Sequence, residues 1–233
     1  MGGRVSCFQL GVDVDTNKAP IEIIYGDIIS LYPYILLYCD FPIGAPRICR
    51  NRAELQNLRI GEFFGIVNLT LLPPRNIPIL PIPYRSKDAG LVFPACRTCA
   101  DILADSPFCA HKDEQRAFIN TTLTTVEVEL ALEVGYQILG GINEAWIWDR
   151  HDTSLFRRYL LNYVRLKTVS SGWPADVQSV EEREEYLKQI NDEYSFEKPI
   201  LEDEICKNGG KRLVAKLAMN MFWVRLIIVG VVI

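Results

Sequence analysis

The chain lacks an excess of positive charge. Its 233 residues hold 25 Lys and Arg against 29 Asp and Glu, a formal net charge of −4. That weighs against a surface coated for nucleic acid, since displacing counterions from phosphates needs Lys and Arg. Basic residues can still gather locally. It also lacks an uninterrupted apolar run of the roughly 20 residues that a membrane span needs. Val224–Ile233 is nearly all apolar, but Arg225 interrupts it. This tail reads as a buried segment or an unnatural end, and no membrane partner is expected. Met1-Gly2-Gly3-Arg4 lacks the apolar core of an export signal. With an odd count of seven Cys, reduced thiols in an intracellular compartment are expected. Repeats and low-complexity tracts are also missing. What is present is 49% hydrophobic residues, enough for a substantial core in one or two domains.

The most informative stretch is Tyr25-Gly26-Asp27-Ile28-Ile29-Ser30-Leu31-Tyr32-Pro33. The β-branched residues on either side of Asp27 predict a mostly buried strand that ends near a carboxylate. Ser30 to Pro33 then turn the chain into a short apolar segment, Tyr34 to Tyr38. A sheet fixes the direction of an Asp at a strand end, and the following turn leaves room for a ligand.

Cys96, Cys99, Cys109 and His111 lie within 16 residues, spaced Cys-x2-Cys-x9-Cys-x-His. A Cys pair two residues apart can bend back onto one tetrahedral ion, and a second pair closes the site. Zinc held by these four would be structural, since no position is left for substrate. Buried, reduced thiols are the alternative.

Elsewhere the pattern predicts strands over Val5–Val12, Phe63–Leu72 and Ala145–Asp149. Prolines 73 to 83 fix an irregular path between elements. Asp13-Val14-Asp15-Thr16 reads as a turn or strand end. A helix capped by Thr124 or Thr125 is expected to reach Leu139, where Gly140-Gly141 stops it. Trp146 and Trp148 read as core residues. Ser154 is expected to cap a helix from Leu155 to about Val169, broken at Ser171-Gly172-Trp173-Pro174. Ser179 and Glu182 form a capping box for a charged helix to about Asn191.

The last helix, within Lys207–Trp223, places Arg212, Lys216, Asn220 and Trp223 inside an arc of roughly 80°. One face thus carries two cations, an amide and an aromatic. Leu213, Leu217 and Met221 form the adjoining apolar row, expected to be packed.

Several of these strings resemble protein-primed family B DNA polymerases of the viral, organellar and Maverick/Polinton type. Asp27-x-x-Ser30-Leu31-Tyr32-Pro33, continued by Asp40-Phe41-Pro42-Ile43-Gly44-Ala45-Pro46, resembles their first palm motif. Arg212-x3-Lys216-x3-Asn220-x2-Trp223 resembles their fingers motif, although Met221 and Val224 stand where Ser and Gly are expected. Leu72-Pro73-Pro74-Arg75 with Pro83-Tyr84-Arg85, and the Cys96–Ala100 and Cys109–Glu114 strings, resemble further Polinton-type segments.

The resemblance implies an α+β fold: a partial palm sheet (1–59), an insertion with the Cys/His cluster (60–150), helical fingers (151–224) and the apolar tail (225–233). It implies that Asp27 binds catalytic magnesium, that Ser30, Leu31 and Tyr32 lie beneath a dNTP with Tyr32 gating the sugar, and that Lys167, Arg212 and Lys216 bind its triphosphate. Asn220 would support the nascent base pair, and the row at Leu213 would pack on the palm. DNA template-primer and dNTP are the implied partners, with a terminal protein contacting the insertion. Two magnesium ions roughly 3.5–4 Å apart need more than one carboxylate, and the family's second metal motif, Asp-Thr-Asp, has no match at the expected place. No exonuclease domain is expected ahead of Gly2-Gly3. The implied activity is template-directed DNA synthesis, weak or missing in this chain alone. A non-catalytic zinc-bearing binding module derived from a polymerase is the competing class. Nuclear, mitochondrial and viral settings all fit an intracellular protein.

Overall fold

The computed structural model describes residues 30–77, 79–104 and 108–228, with side chains described up to Met221. The expected strand at Val5–Val12, the Asp13–Thr16 turn, the strand carrying Asp27 and residues 229–233 lie outside the described residues. So do the side chains of Phe222 onward, Trp223 included.

In chain order the elements are α1 (Leu31–Tyr38), β1 (Phe41–Pro42), β2 (Arg47–Cys49), α2 (Arg52–Asn57), β3 (Phe64–Leu72), β4 (Tyr84–Ser86), β5 (Gly90–Val92), α3 (Arg97–Asp101), α4 (Asp113–Arg116), β6 (Phe118–Thr124), α5 (Thr125–Glu133), β7 (Gln137–Trp148), β8 (His151–Asp152), α6 (Arg157–Ser171), α7 (Val180–Tyr194) and α8 (Gly209–Ile228). A single 3-10 turn, Glu202–Glu204, precedes α8.

Two apolar cores organise these elements. The first lies under a four-stranded antiparallel sheet of order β2-β7-β3-β6. Along β3, buried Val67, Leu69 and Leu71 alternate with half-buried residues, as one packed face requires. Phe118, Leu123, Ala145 and Ile147 complete that face, and Val128 and Ala131 of α5 cover it. The second core is helical: Leu36 and Leu37 of α1, Phe41, Leu160 and Val164 of α6, Phe196, Ile200 and Met219 of α8.

The sheet core is built from residues between Cys49 and Ile147, and the helical core from residues on either side of that interval. The two meet at a narrow neck. There Phe41 pairs with Asp152 and Pro42 with His151. Ile43 N donates to Arg150 O at 2.9 Å, and His151 Nδ1 lies 3.1 Å from Asp40 Oδ2.

Four local expectations need correction. The helix capped by Thr124 ends at Glu133, not near Leu139, because Gly135 takes a left-handed φ of 93° and Tyr136 N turns back to Ala131 O at 2.9 Å. Its buried residues are Thr125, Val128 and Ala131, while Val126 and Leu130 are exposed. Gly140 and Gly141, expected as a stop, instead form a bulge inside β7: Leu69 pairs with Ile142 and Thr70 with Leu139, leaving the two glycines, both at positive φ, as the extra pair. The predicted strand at Ala145–Asp149 is therefore the end of a 12-residue one. Ser154 does not cap α6: its own N–H and hydroxyl donate to Asp152 Oδ1, both at 2.6 Å, and α6 starts at Arg157 without a side-chain cap. Finally, of the expected turn Ser30–Pro33 only Ser30 is a turn. Leu31–Tyr38 is helical, Pro33 being tolerated in a first turn.

The capping box at Ser179 and Glu182 forms as expected. Gly172, at φ 74°, ends α6. Trp148 is buried and Trp146 half-buried.

Candidate functional site

Asp27 lies outside the described residues. Three residues on, Ser30 takes a φ of 60°. A non-glycine residue there is strained by about 1–3 kcal/mol, and such strain gathers at ligand-handling turns. Leu31 and Tyr32 are 41% and 37% exposed, unusual for an apolar helix start.

The helices α6 and α8 pack side by side through small and apolar residues. Met219 of α8 packs in one core with Leu160 and Val164 of α6, Ala215 one turn earlier is also buried, and the Tyr159 hydroxyl donates to Ala218 O at 3.4 Å. This seam brings Arg212 and Lys216 to Lys167. The Lys167 ammonium is pushed below its ordinary value, first by burial and then by the charges of Arg212 and Lys216. Arg212 Nε also donates to the Ser171 hydroxyl at 3.3 Å. Ser171 carries no obvious sequence signal, since it reads as part of the helix break. Three cations repelling one another beside a half-buried seam favour an anion in their midst. Asn220 is exposed on the same side of α8.

The expected packing row is a further correction. Leu213, Leu217 and Met221 are 55%, 48% and 60% exposed. By helical geometry they lie roughly opposite the Ala215–Met219 seam, and among the described residues no element covers them.

The Cys/His cluster is closely assembled. Cys96 caps α3 by accepting from Cys99 N at 3.4 Å, so the short helix itself turns Cys99 towards Cys96. His111 Nδ1 lies 3.5 Å from Cys96 Sγ, 3.3 Å from Cys99 Sγ and 3.5 Å from Cys109 Sγ. All four ligand atoms fall within 4.8 Å of one another. Zinc with sulfur at about 2.3 Å and nitrogen at about 2.0–2.1 Å sets S–N and S–S tetrahedral edges of about 3.5–3.8 Å, so this donor set fits that ion.

The thiols are electrostatically unequal. Burial, together with the hydrogen bonds its S–H donates to Cys109 and Cys96, pushes Cys99 up to about 12. Burial also acts to raise Cys109, but hydrogen bonds from His111 and the other thiols outweigh it and bring it down to about 6. One negative charge is welcome in the cluster, while a second needs a cation.

Two arginines hold the cluster's frame, and neither was assigned a role from sequence. Arg75 donates to His111 O at 2.9 Å and to Cys109 O at 3.4 Å. Arg116, almost wholly buried, donates to Pro73 O at 2.7 Å, to Ala95 O at 3.2 Å and to Asp113 Oδ1 at 2.9 Å. Arg75 stands inside the proline-rich string already singled out, which was the available signal; Arg116 gave none. All the described cysteines are free thiols, and among the described residues no helix is long and apolar enough to cross a membrane.

No curated protein matches the chain. Two solved structures are similar. The orthorhombic crystal form of phi29 DNA polymerase has a TM-score of 0.49 at 16% identity, with 83% of this chain and 24% of that one covered. Phi29 DNA polymerase complexed with primer-template DNA has a TM-score of 0.44 at 14% identity, with 83% and 23% covered. The chain thus spans about a quarter of the length of those structures. The family model described as DNA polymerase type B, organellar and viral, matches residues 2–173. Since that match takes in well over half of the 233 residues, the chain belongs to the protein-primed type B DNA polymerases of organelles and viruses.

Proposed function

We propose that the chain is the part of a protein-primed DNA polymerase that receives the incoming dNTP. The single observation that carries this reading is the convergence of Lys167, Arg212 and Lys216 in a chain of this family. Their charges suit the triphosphate, and charge-assisted hydrogen bonds hold phosphate oxygens better than neutral ones. Ser30, Leu31 and Tyr32 would form the surface beneath the nucleotide, with Tyr32 against the sugar, and Asn220 would support the new base pair. Asp27, a hard carboxylate donor, would hold magnesium, which supplies charge neutralisation at the phosphates when bound. Residues 1–59 correspond to palm, 60–150 to the insertion, with β2 completing its sheet, and 151–224 to fingers. Template-primer DNA is the second substrate, and a terminal protein the partner expected at the insertion.

One matched carboxylate cannot clamp two ions, so synthesis by this chain alone is expected to be weak or missing. Primer extension on the purified chain beside Asp27→Asn measures this; robust synthesis that depends on Asp27 would overturn it. The triphosphate face is tested separately by equilibrium binding of a dNTP. Hydrogen bonds to charged groups contribute about 1.5–3 kcal/mol each, so Arg212→Ala with Lys216→Ala is expected to weaken binding by at least tenfold. Unchanged dNTP affinity would remove the reading's support.

The Cys/His cluster favours a second reading, a zinc-bearing module without catalysis. Zinc near one per chain, with no dNTP affinity at all, is the result that selects it.

A further inference from the structure

The four-stranded sheet leaves one edge partly bare. β2 pairs with β7 only from Ala145 to Ile147, so residues 137–144 have no strand on that side among the described residues. A bare edge invites another strand, but the Gly140-Gly141 bulge bends this one, and bulged edges pair poorly. Between this edge and α2, with the loop that follows α2, lies a cleft of about 780 Å³. That is within the roughly 300–1,000 Å³ of small-molecule sites.

The floor of the cleft is aliphatic. Leu58, Ile60, Ile138 and Ile142 line it. They also pack on the sheet core, yet stay only partly buried. Leu132 of α5, 39% exposed, joins the lining. Gly140 and Gly141 line it too, and a β-carbon on either would meet nothing within 4 Å. No aromatic ring lines the cleft, so nothing there offers a base a surface to stack on.

The polar part of the lining includes Arg50, Arg52 and Arg59 but no acidic residue. Arg50 is already committed: it donates to the Glu144 carboxylate at 2.7 and 3.2 Å. Arg59 uses Nη1 alone, donating to Gln56 O at 2.8 Å and Leu58 O at 3.1 Å. Those bonds hold its guanidinium at the end of α2 and leave its charge uncompensated. Arg52, exposed at the first position of α2, has no acidic partner among the described residues. Glu129, whose carboxylate comes near Gly61, is not part of the lining. Two uncompensated guanidinium groups beside an aliphatic floor suit one kind of ligand. Its apolar body leaves water for the floor, and its charged head takes the forked donors.

We propose that this cleft binds a small amphipathic anion, its carboxylate or phosphate head held by Arg52 and Arg59 and its aliphatic body laid on Ile60, Ile138 and Ile142. The inference rests on this cleft alone and does not depend on the dNTP face.

Fluorescence titration of the full chain with anilinonaphthalene sulfonate, followed by displacement of the dye, tests it. Decanoate and decyl phosphate are expected to displace the dye, and the one that does so at lower concentration identifies the preferred head. Propionate, a head without a body, is expected to fail. So is decyltrimethylammonium, the same body with the opposite charge. Arg52→Glu is expected to weaken decanoate binding at least tenfold. A carboxylate in the first turn of a helix suits its dipole, so α2 should persist in this variant. Leu132→Ser is expected to weaken binding several-fold. Leu217→Ser, on the exposed row of α8, should bind as the wild type does, which separates the cleft from the other apolar surface. Far-UV circular dichroism checks that each variant is folded. Wild-type decanoate affinity in Arg52→Glu overturns the proposal. So does loss of binding in Leu217→Ser alone, equal displacement by decyltrimethylammonium, or failure of both decyl anions.

Discussion

Arg75 shows how much of the cluster's geometry depends on a residue outside it. Its guanidinium spans the carbonyls of Cys109 and His111 and lies 3.5 Å from Asp113. Without it, the loop carrying two ligands would lose its fixed path. Groups that orient ligands typically contribute ten- to a hundredfold in metal affinity. Arg75→Met is therefore expected to lower zinc affinity by about tenfold while leaving zinc stoichiometry at one per chain. Competition with a chromophoric chelator reads this directly, and an unchanged affinity would show that the four ligands position themselves. The ligands themselves were legible in the sequence because metal coordination imposes short, fixed spacings. Arg75 and Arg116 act through backbone carbonyls, and a carbonyl leaves no mark on residue type.

At the scale of elements, the pairing of β3 with β7 has one vulnerable point. Gly65 stands against the backbone of Trp146 so closely that a β-carbon there would overlap the Trp146 carbonyl oxygen. Its N–H also reaches the Thr125 hydroxyl at 3.2 Å. Overpacking costs typically about 1–3 kcal/mol, and here the obstacle is backbone. Gly65→Ala is expected to destabilise the fold by at least about 2 kcal/mol in urea denaturation. Gly44→Ala, with open space around it but a φ of 82°, is expected to cost less. Such close approaches explain what the sequence could show. Phe63–Leu72 was readable as a strand because its alternation is local, whereas α5 was extended too far because Val134 and Ile138 continue a helical spacing by coincidence. The tertiary pairing of Ile138 with Leu71 decides that segment. Likewise, the row at Leu213 was assigned to packing by periodicity alone, which cannot tell which of two neighbouring stripes meets a partner.

For the whole molecule, the charge pattern predicts a one-sided response to pH. Glu54, Glu144, Glu182 and Glu204 are all held below the ordinary glutamate value of 4.5. Asp152 is held down by the hydroxyl and backbone of Ser154. The causes are hydrogen bonds, among them those from Cys49 to Glu54, from Arg50 to Glu144, from the backbone at Ser179 to Glu182 and from Arg165 to Glu204. Carboxylates with lowered folded values contribute stability that is present above pH 4.5 and is lost as pH falls below it towards those values. The melting temperature is expected to drop between pH 5 and pH 3, the range in which these carboxylates take up protons. Glu204→Gln should flatten part of the acid limb; a limb of unchanged steepness would mean that the half-buried Arg165 pair contributes nothing measurable.

The neck at Phe41–Pro42 and His151–Asp152 also bears on inheritance. A polypeptide that departs from a helical body and rejoins it beside its point of departure can be lengthened, shortened or exchanged between those points without rerouting anything else. The interval from Ile43 to Arg150, with its own sheet and its own sulfur cluster, is thus the natural unit for recombination between relatives, while the helices on either side must be passed on together.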